Sequence, residues 1–351
     1  MTQYLWTQKV NRFGIAFLWL LFTHAAISWT QELKVSPAPA TGTVAARTVE
    51  DWNSLTLANN ELTPERPLLG ERDVFPQFTR ELIQVKWRKG DPIDLYVIRP
   101  TGVAKPPAIL YLYSYPSETD RFRNDDYCAR VTRDGFAAIG FVSALTGHRY
   151  QNRPMKEWFV SELPEALGSS VHDVQMILNY LSTRNDLDMD KIGMFGEGSG
   201  GSIAILAAAA DPRIKTIDLL DPWGDWPDWM AKSELVPDEE RPNYLKPEFL
   251  KRIAALDPVL WLPQLGSQHI RIQQVMDDSV TPEAAKERIE SVAPRTAQVV
   301  RYENTREFFA AVSGGRIFQW AKEHVRPAPL KPPAIQALQK PGVKPVESGR
   351  D

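Results

Sequence analysis

The amino-acid sequence predicts an α/β protein with an eight-stranded, mostly parallel sheet covered by helices on both faces. Short apolar runs of strand length alternate along the chain with stretches whose apolar residues recur at helical spacing. Strands that are joined through helices run parallel and are buried on both faces. The 351 residues are 43% hydrophobic, which is enough apolar material for one large core.

The predicted strands and helices follow one another in a regular order from residue 82. Residues 82–88 and 93–98 alternate apolar and polar side chains around Lys89-Gly90-Asp91-Pro92, which predicts a hairpin. Six further strands are predicted at 108–113, 136–142, 191–195, 215–220, 270–275 and 297–302. Helices are expected at about 123–133, 169–183, 199–210 and 282–292, and a final helix ends near residue 325.

The first 28 residues have the layout of a secretory signal peptide. Lys9 and Arg12 precede an almost wholly apolar run at 13–22, and the small residues Ala26 and Ser28 occupy the positions before a cleavage site. The sequence therefore predicts export to the periplasm or the extracellular space. The alternative is an uncleaved segment that anchors the chain in a membrane.

The rest of the chain divides by composition. We interpret residues 29–79 as an N-terminal linker and lead-in, residues 80–325 as the α/β domain, and residues 326–351 as a Pro-rich disordered tail. An insertion at about 221–266 separates two of the predicted strands.

Charge and composition argue against several classes of function. The net charge is −3, and no basic block alternates with aromatic residues, so nucleic-acid binding is not expected. Cys128 is the only cysteine, which excludes a disulfide within the chain. No Cys/His cluster has the spacing of metal ligands, and we predict neither a metal nor another cofactor.

The most informative segment is the predicted strand-to-helix turn at 191–201. Its residues Gly196-Glu197-Gly198-Ser199-Gly200 occupy the five places of the G-x-S-x-G nucleophile elbow. In this alignment, Gly198 takes the place of the nucleophilic serine.

The run Asp188-Met189-Asp190-Lys191-Ile192-Gly193-Met194-Phe195-Gly196 resembles the sequence that leads into the serine of dienelactone hydrolases, acetyl xylan esterases and prolyl oligopeptidase-type enzymes. The resemblance implies the α/β-hydrolase fold over about residues 80–325. It also implies that the insertion at 221–266 forms a cap over the site. In this group a serine attacks an acyl carbonyl, a histidine takes its proton, and an acid orients the histidine, in the chain order Ser, Asp or Glu, His.

By this resemblance the acid position is filled and the histidine position is not. Asp277, in the turn at 276–282, matches the acid; Asp278 is the alternative, and both could instead cap the helix that begins near Pro282. The loop after the last strand has Arg306 or Glu307 where a histidine is expected. Arginine is a poor base because it stays protonated.

Other residues could substitute for the missing groups. Shifting the elbow by one residue would make Ser199 the nucleophile, although its backbone N–H would ordinarily belong to the oxyanion hole and its hydroxyl would cap the helix. The resemblance also implies that Tyr115, in the loop after the predicted strand at 108–113, donates the second N–H of the oxyanion hole. His148 follows the fourth strand and could reach the site, or it could bond to a loop carbonyl.

Four further residues are candidates for the pocket. Glu197 could act as an acid at the mouth of the site or lie solvated beside the turn. Trp223, Trp226 and Trp229 could line a pocket for a carbohydrate or an aromatic acyl group, or hold the cap on the body.

The sequence therefore predicts an exported protein of esterase- or peptidase-like ancestry that has lost ordinary Ser-His-Asp activity. It would bind a small-molecule ligand or a partner at the former active site. One alternative is an atypical carboxylic-ester hydrolase using Ser199 with Asp277 and His148. The other is a structural or interaction protein of the cell envelope.

Overall fold

The computed structural model describes residues 51, 54–56, 65–88, 91–114, 119–145, 162–266 and 268–325. The predicted signal peptide, the Pro-rich tail, Tyr115 and His148 lie outside the described residues. No helix in the described part of the chain combines the length and apolar character needed to cross a membrane.

One mixed sheet organises the described residues. Its strands lie in the order β1-β2-β3-β5-β4-β6-β7-β8-β9. They are β1 (Glu65–Val74), β2 (Phe78–Arg88), β3 (Asp91–Pro100), β4 (Pro107–Leu112), β5 (Ala137–Phe141), β6 (Asp188–Glu197), β7 (Thr216–Leu220), β8 (His269–Val275) and β9 (Gln298–Tyr302). β1, β2 and β3 pair antiparallel, as do β3 and β5, whereas the pairs from β5 through β4 to β9 are parallel. The predicted mostly parallel α/β sheet with an opening hairpin is therefore confirmed.

The predicted strand count of eight was wrong, because β1 lies within the region interpreted as linker and lead-in. Leu68, Leu69 and Val74 of β1 are all exposed. An edge strand that is exposed on both faces carries neither an alternating nor a continuous apolar pattern, so its sequence gives no strand signal.

Helices cover both faces of the sheet. They are α1 (Asp125–Thr132), α2 (Leu163–Ser182), α3 (Ser199–Ala210), α4 (Trp226–Lys232), α5 (Arg241–Tyr244), α6 (Pro247–Ile253), α7 (Pro258–Trp261), α8 (Glu283–Val292), α9 (Thr305–Ser313) and α10 (Gln319–Val325). Alternate residues of the central strands point to opposite faces of the sheet, and each face has its own hydrophobic core. In β4, Leu110 and Leu112 pack with α2 and α3, and Tyr111 packs with α1 and α10 on the other face.

The single final helix predicted to end near residue 325 is two helices in the structure. α9 ends at Ser313, and α10 begins at Gln319. Gly314 and Gly315 separate them, and Gly315 adopts a left-handed φ of 70° that ends a helix readily.

The strand order reverses between β4 and β6. From β4 the chain passes to β5 on one side, and it later returns to β6 on the other side. In open α/β sheets, ligands bind beyond the carboxyl ends of the strands at such a reversal. The residues that follow β4 and β6 therefore form the natural place for a site.

Candidate active site

The turn after β6 has the geometry of a nucleophile elbow, and Gly198 is at its apex. Gly198 adopts φ 54° and ψ −117°, a conformation that favours glycine. Its N–H donates to Leu220 O at 2.9 Å, and its carbonyl accepts from Gly201 N–H at 3.0 Å. Ser199 is already the first residue of α3 and is fully buried. The alternative alignment, with Ser199 at the apex, therefore does not describe this turn.

The space beside Gly198 is filled. A Cβ built on Gly198 would overlap Ser114 Oγ, and it would lie 2.9 Å from Ser114 Cβ and 3.0 Å from Trp223 Nε1. Real Cβ atoms essentially never lie as close to other atoms as this one would lie to Ser114, and the contact with Trp223 would be tighter than most. The apex thus lacks a nucleophile, and its surroundings leave no room for one without movement of Ser114 or Trp223.

Asp277, at the position where the catalytic acid is expected, bonds to the first residue of α9. The Asp277 carboxylate is exposed and accepts from both the N–H and the hydroxyl of Thr305, each at 2.8 Å. These two donors hold the pKa of Asp277 below its usual range. Asp277 therefore stabilises the start of α9, whereas the sequence suggested a cap for the helix near Pro282. Asp278 does not cap that helix either: its carboxylate accepts from Thr281 N–H at 2.9 Å within the turn, and α8 begins at Glu283 without a side-chain cap.

The loop where a histidine was expected forms a helix cap. Asn304 Oδ1 accepts from Glu307 N–H at 3.1 Å, and the Glu307 carboxylate accepts from Glu303 N–H at 2.8 Å. Asn304 is therefore the N-cap of α9, and Glu307 binds the N–H of the residue before that cap. Arg306 is exposed on the first turn of that helix. The segment thus contains no histidine, and Asn304 in it caps a helix.

A group of carboxylates lies at the carboxyl edge of the sheet, and the sequence identified only part of it. Glu197 is 29% exposed, and its Oε2 lies 3.5 Å from Arg121 Nη2. Partial burial raises the pKa of Glu197; Arg121 opposes the rise, and the negative charge of Asp278 adds to it. Glu197 is therefore partly shielded from solvent and forms an ion pair with Arg121.

Asp221 is the member of this group that sequence reasoning missed. It follows β7, has a left-handed φ of 42°, and accepts from Val275 N–H at 3.0 Å. Burial, reinforced by Asp278, raises the pKa of Asp221 to about 8, although Val275 N–H and Lys286 oppose the rise. The signal was available, since Asp221 is an acidic residue directly after a buried parallel strand.

The three tryptophans act as packing residues of the cap. Trp223, Trp226 and Trp229 are all at most 1% exposed, and the Trp223 and Trp229 rings lie 4.8 Å apart. Trp226 Nε1 donates to Leu256 O at 3.1 Å. Of the two roles that the sequence left open, this burial favours holding the cap on the body, because the Trp223 and Trp229 rings lie in the hydrophobic core. Trp226 borders an open pocket of about 370 Å³, which Leu250 and Leu260 also line.

Among the described residues, no group of three or more His, Cys, Asp or Glu side chains is arranged to hold a metal ion. Two histidines in that part of the chain contact groups outside the elbow. His172 Nε2 lies 2.7 Å from Ser54 O, and His324 stacks on Trp320. His269 begins β8, at the amino edge of the sheet. None of these three histidines lies at the carboxyl ends of β4 and β6.

Comparison with known proteins agrees with this architecture. Residues 89–248 match the family model described as X-Pro dipeptidyl-peptidase (S15 family). The Bacillus subtilis (strain 168) protein named "Putative hydrolase YtaP" is 26% identical over 140 residues, which is 35% of this chain and 46% of the relative. The chain thus matches about half the length of that relative.

Solved structures of esterases share the fold. Acetyl xylan esterase 1 from Thermoanaerobacterium sp. JW/SL YS485 is 14% identical with a TM-score of 0.53, over 76% of this chain and 91% of the esterase. The acetyl xylan esterase from Paenibacillus sp. R4 is 15% identical with a TM-score of 0.54, over 76% and 90%. The sheet order, the elbow and these relatives together identify the chain as an α/β-hydrolase-fold protein.

Proposed function

We propose that this chain has lost the Ser-His-Asp acyl-transfer chemistry of the hydrolase fold and binds a small ester-like or acyl ligand at the former active site. The observation that carries the proposal is the filled apex: residue 198 is glycine, and Ser114 and Trp223 occupy the space that a nucleophile's side chain would need. A triad without its nucleophile cannot form the covalent intermediate of acyl transfer.

The loop at 303–307 supports the same conclusion independently. Asn304 of this loop caps α9, and Asp277, which would orient a histidine, bonds to Thr305. The nucleophile and the histidine are thus missing from two separate segments. Loss of the reaction explains both absences better than a local change at the elbow does. Nothing in the geometry favours Ser199 as a replacement nucleophile, since it is fully buried in α3.

A steady-state assay of the purified full-length chain tests the proposal. With p-nitrophenyl acetate, we expect no sustained release of nitrophenolate above that of the heat-unfolded protein. Repeated turnover by the folded protein, abolished by Asp277→Ala or Glu197→Gln, would show that the site is still an enzyme.

Export is the second part of the proposal, and it rests on residues 1–28. Fusion of these residues to a reporter that is active only outside the cytoplasm should give signal, and mass spectrometry of the mature protein should place its first residue near Trp29. Retention of the reporter in the cytoplasm would contradict export.

A further inference from the structure

Ser114 stands where the missing nucleophile would be. It follows β4, and its Oγ overlaps the position that a Cβ on Gly198 would take. A nucleophile's hydroxyl lies one bond beyond that Cβ, so the Ser114 hydroxyl lies within the volume that an elbow serine would use. Ser114 is only partly buried, in contrast to fully buried Ser199. The strand order brings the two loops together, because β4 and β6 are neighbours at the reversal point.

The surroundings of Ser114 suit reaction at an acyl carbon. α3 begins one residue after Gly198, and the amino end of a 12-residue helix favours developing negative charge. Glu197, adjacent to the apex, has a carboxylate that partial burial makes more basic than usual. Arg121 links this carboxylate to the loop of Ser114: its guanidinium lies 3.5 Å from Glu197 and 4.0 Å from the ring centre of Tyr113, the residue before Ser114.

We propose that Ser114 is a relocated acyl acceptor, which takes one acyl group from an activated ester and keeps it. This inference rests on the proposed function, because an acyl group that stays on the protein requires that the hydrolytic half of the reaction is lost. In hydrolases of this fold the histidine activates the water that removes the acyl group. The loop at 303–307 has no histidine, so we expect the adduct to persist.

The step balances with the groups present. Ser114 Oγ forms a bond to the acyl carbon of p-nitrophenyl acetate, and the bond from that carbon to the nitrophenolate oxygen breaks. The hydroxyl proton passes to the Glu197 carboxylate, and nitrophenolate leaves. No oxidant, metal or cofactor is required.

Peptide mapping after reaction of the full-length chain with p-nitrophenyl acetate tests the inference. We expect one acetyl group on Ser114 and a burst of nitrophenolate equal to the protein concentration, without further release. Ser114→Ala should abolish both, and Ser291→Ala, at an exposed serine whose Oγ bonds within α8, should change neither. Circular dichroism confirms that the variants fold.

A variant of the proton acceptor gives a second readout. Glu197→Gln should slow acetylation of Ser114 by about 100-fold, the usual scale for loss of a general base. It should also remove the rise of the rate with pH. Acetylation of Ser199, or of no serine in the folded protein, would overturn the inference and leave the proposed function intact. Sustained turnover after the burst would instead contradict the proposed function.

Discussion

Two separate features of the apex, its backbone conformation and its neighbours, favour glycine at position 198 over any larger residue. Its φ of 54° favours glycine, and a Cβ would overlap Ser114 Oγ. We expect Gly198→Ala to lower the free energy of unfolding by about 1–3 kcal/mol, the scale of a strained backbone residue. Gly102→Ala is the matched control, because Gly102 has a φ of 81° with nothing within 4 Å of its Cβ position.

Urea denaturation of these variants separates strain from overlap. Combining Ser114→Gly with Gly198→Ala should restore the part of the unfolding free energy that is lost through overlap with Ser114. The part that is lost through backbone strain should remain. If Gly198→Ala were no more destabilising than Gly102→Ala, the apex would have room for a side chain and would not be filled by Ser114 and Trp223.

Asp221 makes the stability of the protein depend on pH in a defined direction. Its pKa is raised from 3.8 to about 8, so between these values the folded state holds a proton that the unfolded state releases. The free energy of unfolding contributed by Asp221 is therefore fully present below pH 3.8 and is lost as pH rises through about 8. Asp221→Asn removes this titration.

We expect Asp221→Asn to be as stable as the unmodified chain near pH 4 and more stable than it near pH 9, in urea denaturation at both values. Asp94→Asn, at an exposed position of β3, serves as the control, and its effect on stability should be the same at both pH values. A difference that stays the same at both pH values would mean that Asp221 is ionised throughout.

At the scale of elements, one half-buried carboxylate, that of Asp257, joins two helices of the cap. Asp257 accepts from the N–H groups of Asp225, Trp226 and Val259 at 3.0–3.1 Å and so satisfies the first turns of both α4 and α7. Burial nonetheless raises the pKa of Asp257, with the three backbone donors opposing the rise. One side chain thus joins two short helices that could not stand alone.

Asp257→Ala should lower the free energy of unfolding by about 1–3 kcal/mol, because the buried backbone donors lose their acceptor. Asp238→Ala is the comparison, since Asp238 is 94% exposed and only pairs with Arg241 on the surface. Hydrogen exchange should show faster exchange confined to α4 and α7. Equal exchange rates in Asp257→Ala and the unmodified chain would show that the cap does not need this carboxylate.

At the scale of the whole molecule, the sequence predicted what depends on local pattern and missed what depends on strand order. The fold was predictable from the apolar spacing of β4, β6 and α3. The glycines of the elbow were enough to place Gly198 at its apex. β1 was missed because an exposed edge strand has no burial pattern. Ser114 and Asp221 were missed because they meet Gly198 only through the neighbouring places of β4, β6 and β7 in the sheet. The sequence could not decide whether the three tryptophans line a pocket or pack in the core. That decision depends on how far they are buried, which residue type alone does not determine.

A buried network fixes three strands and the C-terminal segment to one another. Arg271 donates to both oxygens of Asp218, at 2.9 and 2.6 Å, and to Ile317 O at 2.6 Å. Gln273 donates to the same carboxylate at 2.9 Å and accepts from Tyr302 at 2.8 Å. The network links β7, β8 and β9 with the residues just before α10, beneath the edge that carries the site.

Arg271→Met should therefore destabilise the molecule by about 3–5 kcal/mol, because it leaves the Asp218 carboxylate buried without its cation. Asp218→Leu combined with Arg271→Met should recover most of that loss, since apolar pairs replace buried ion pairs at little net cost. Arg301→Met, which breaks a surface pair with Glu290, should change stability far less. Urea unfolding followed by tryptophan fluorescence measures all three. A double variant no more stable than Arg271→Met would show that the polar network, and not only the relief of one unpaired charge, holds this side of the sheet together.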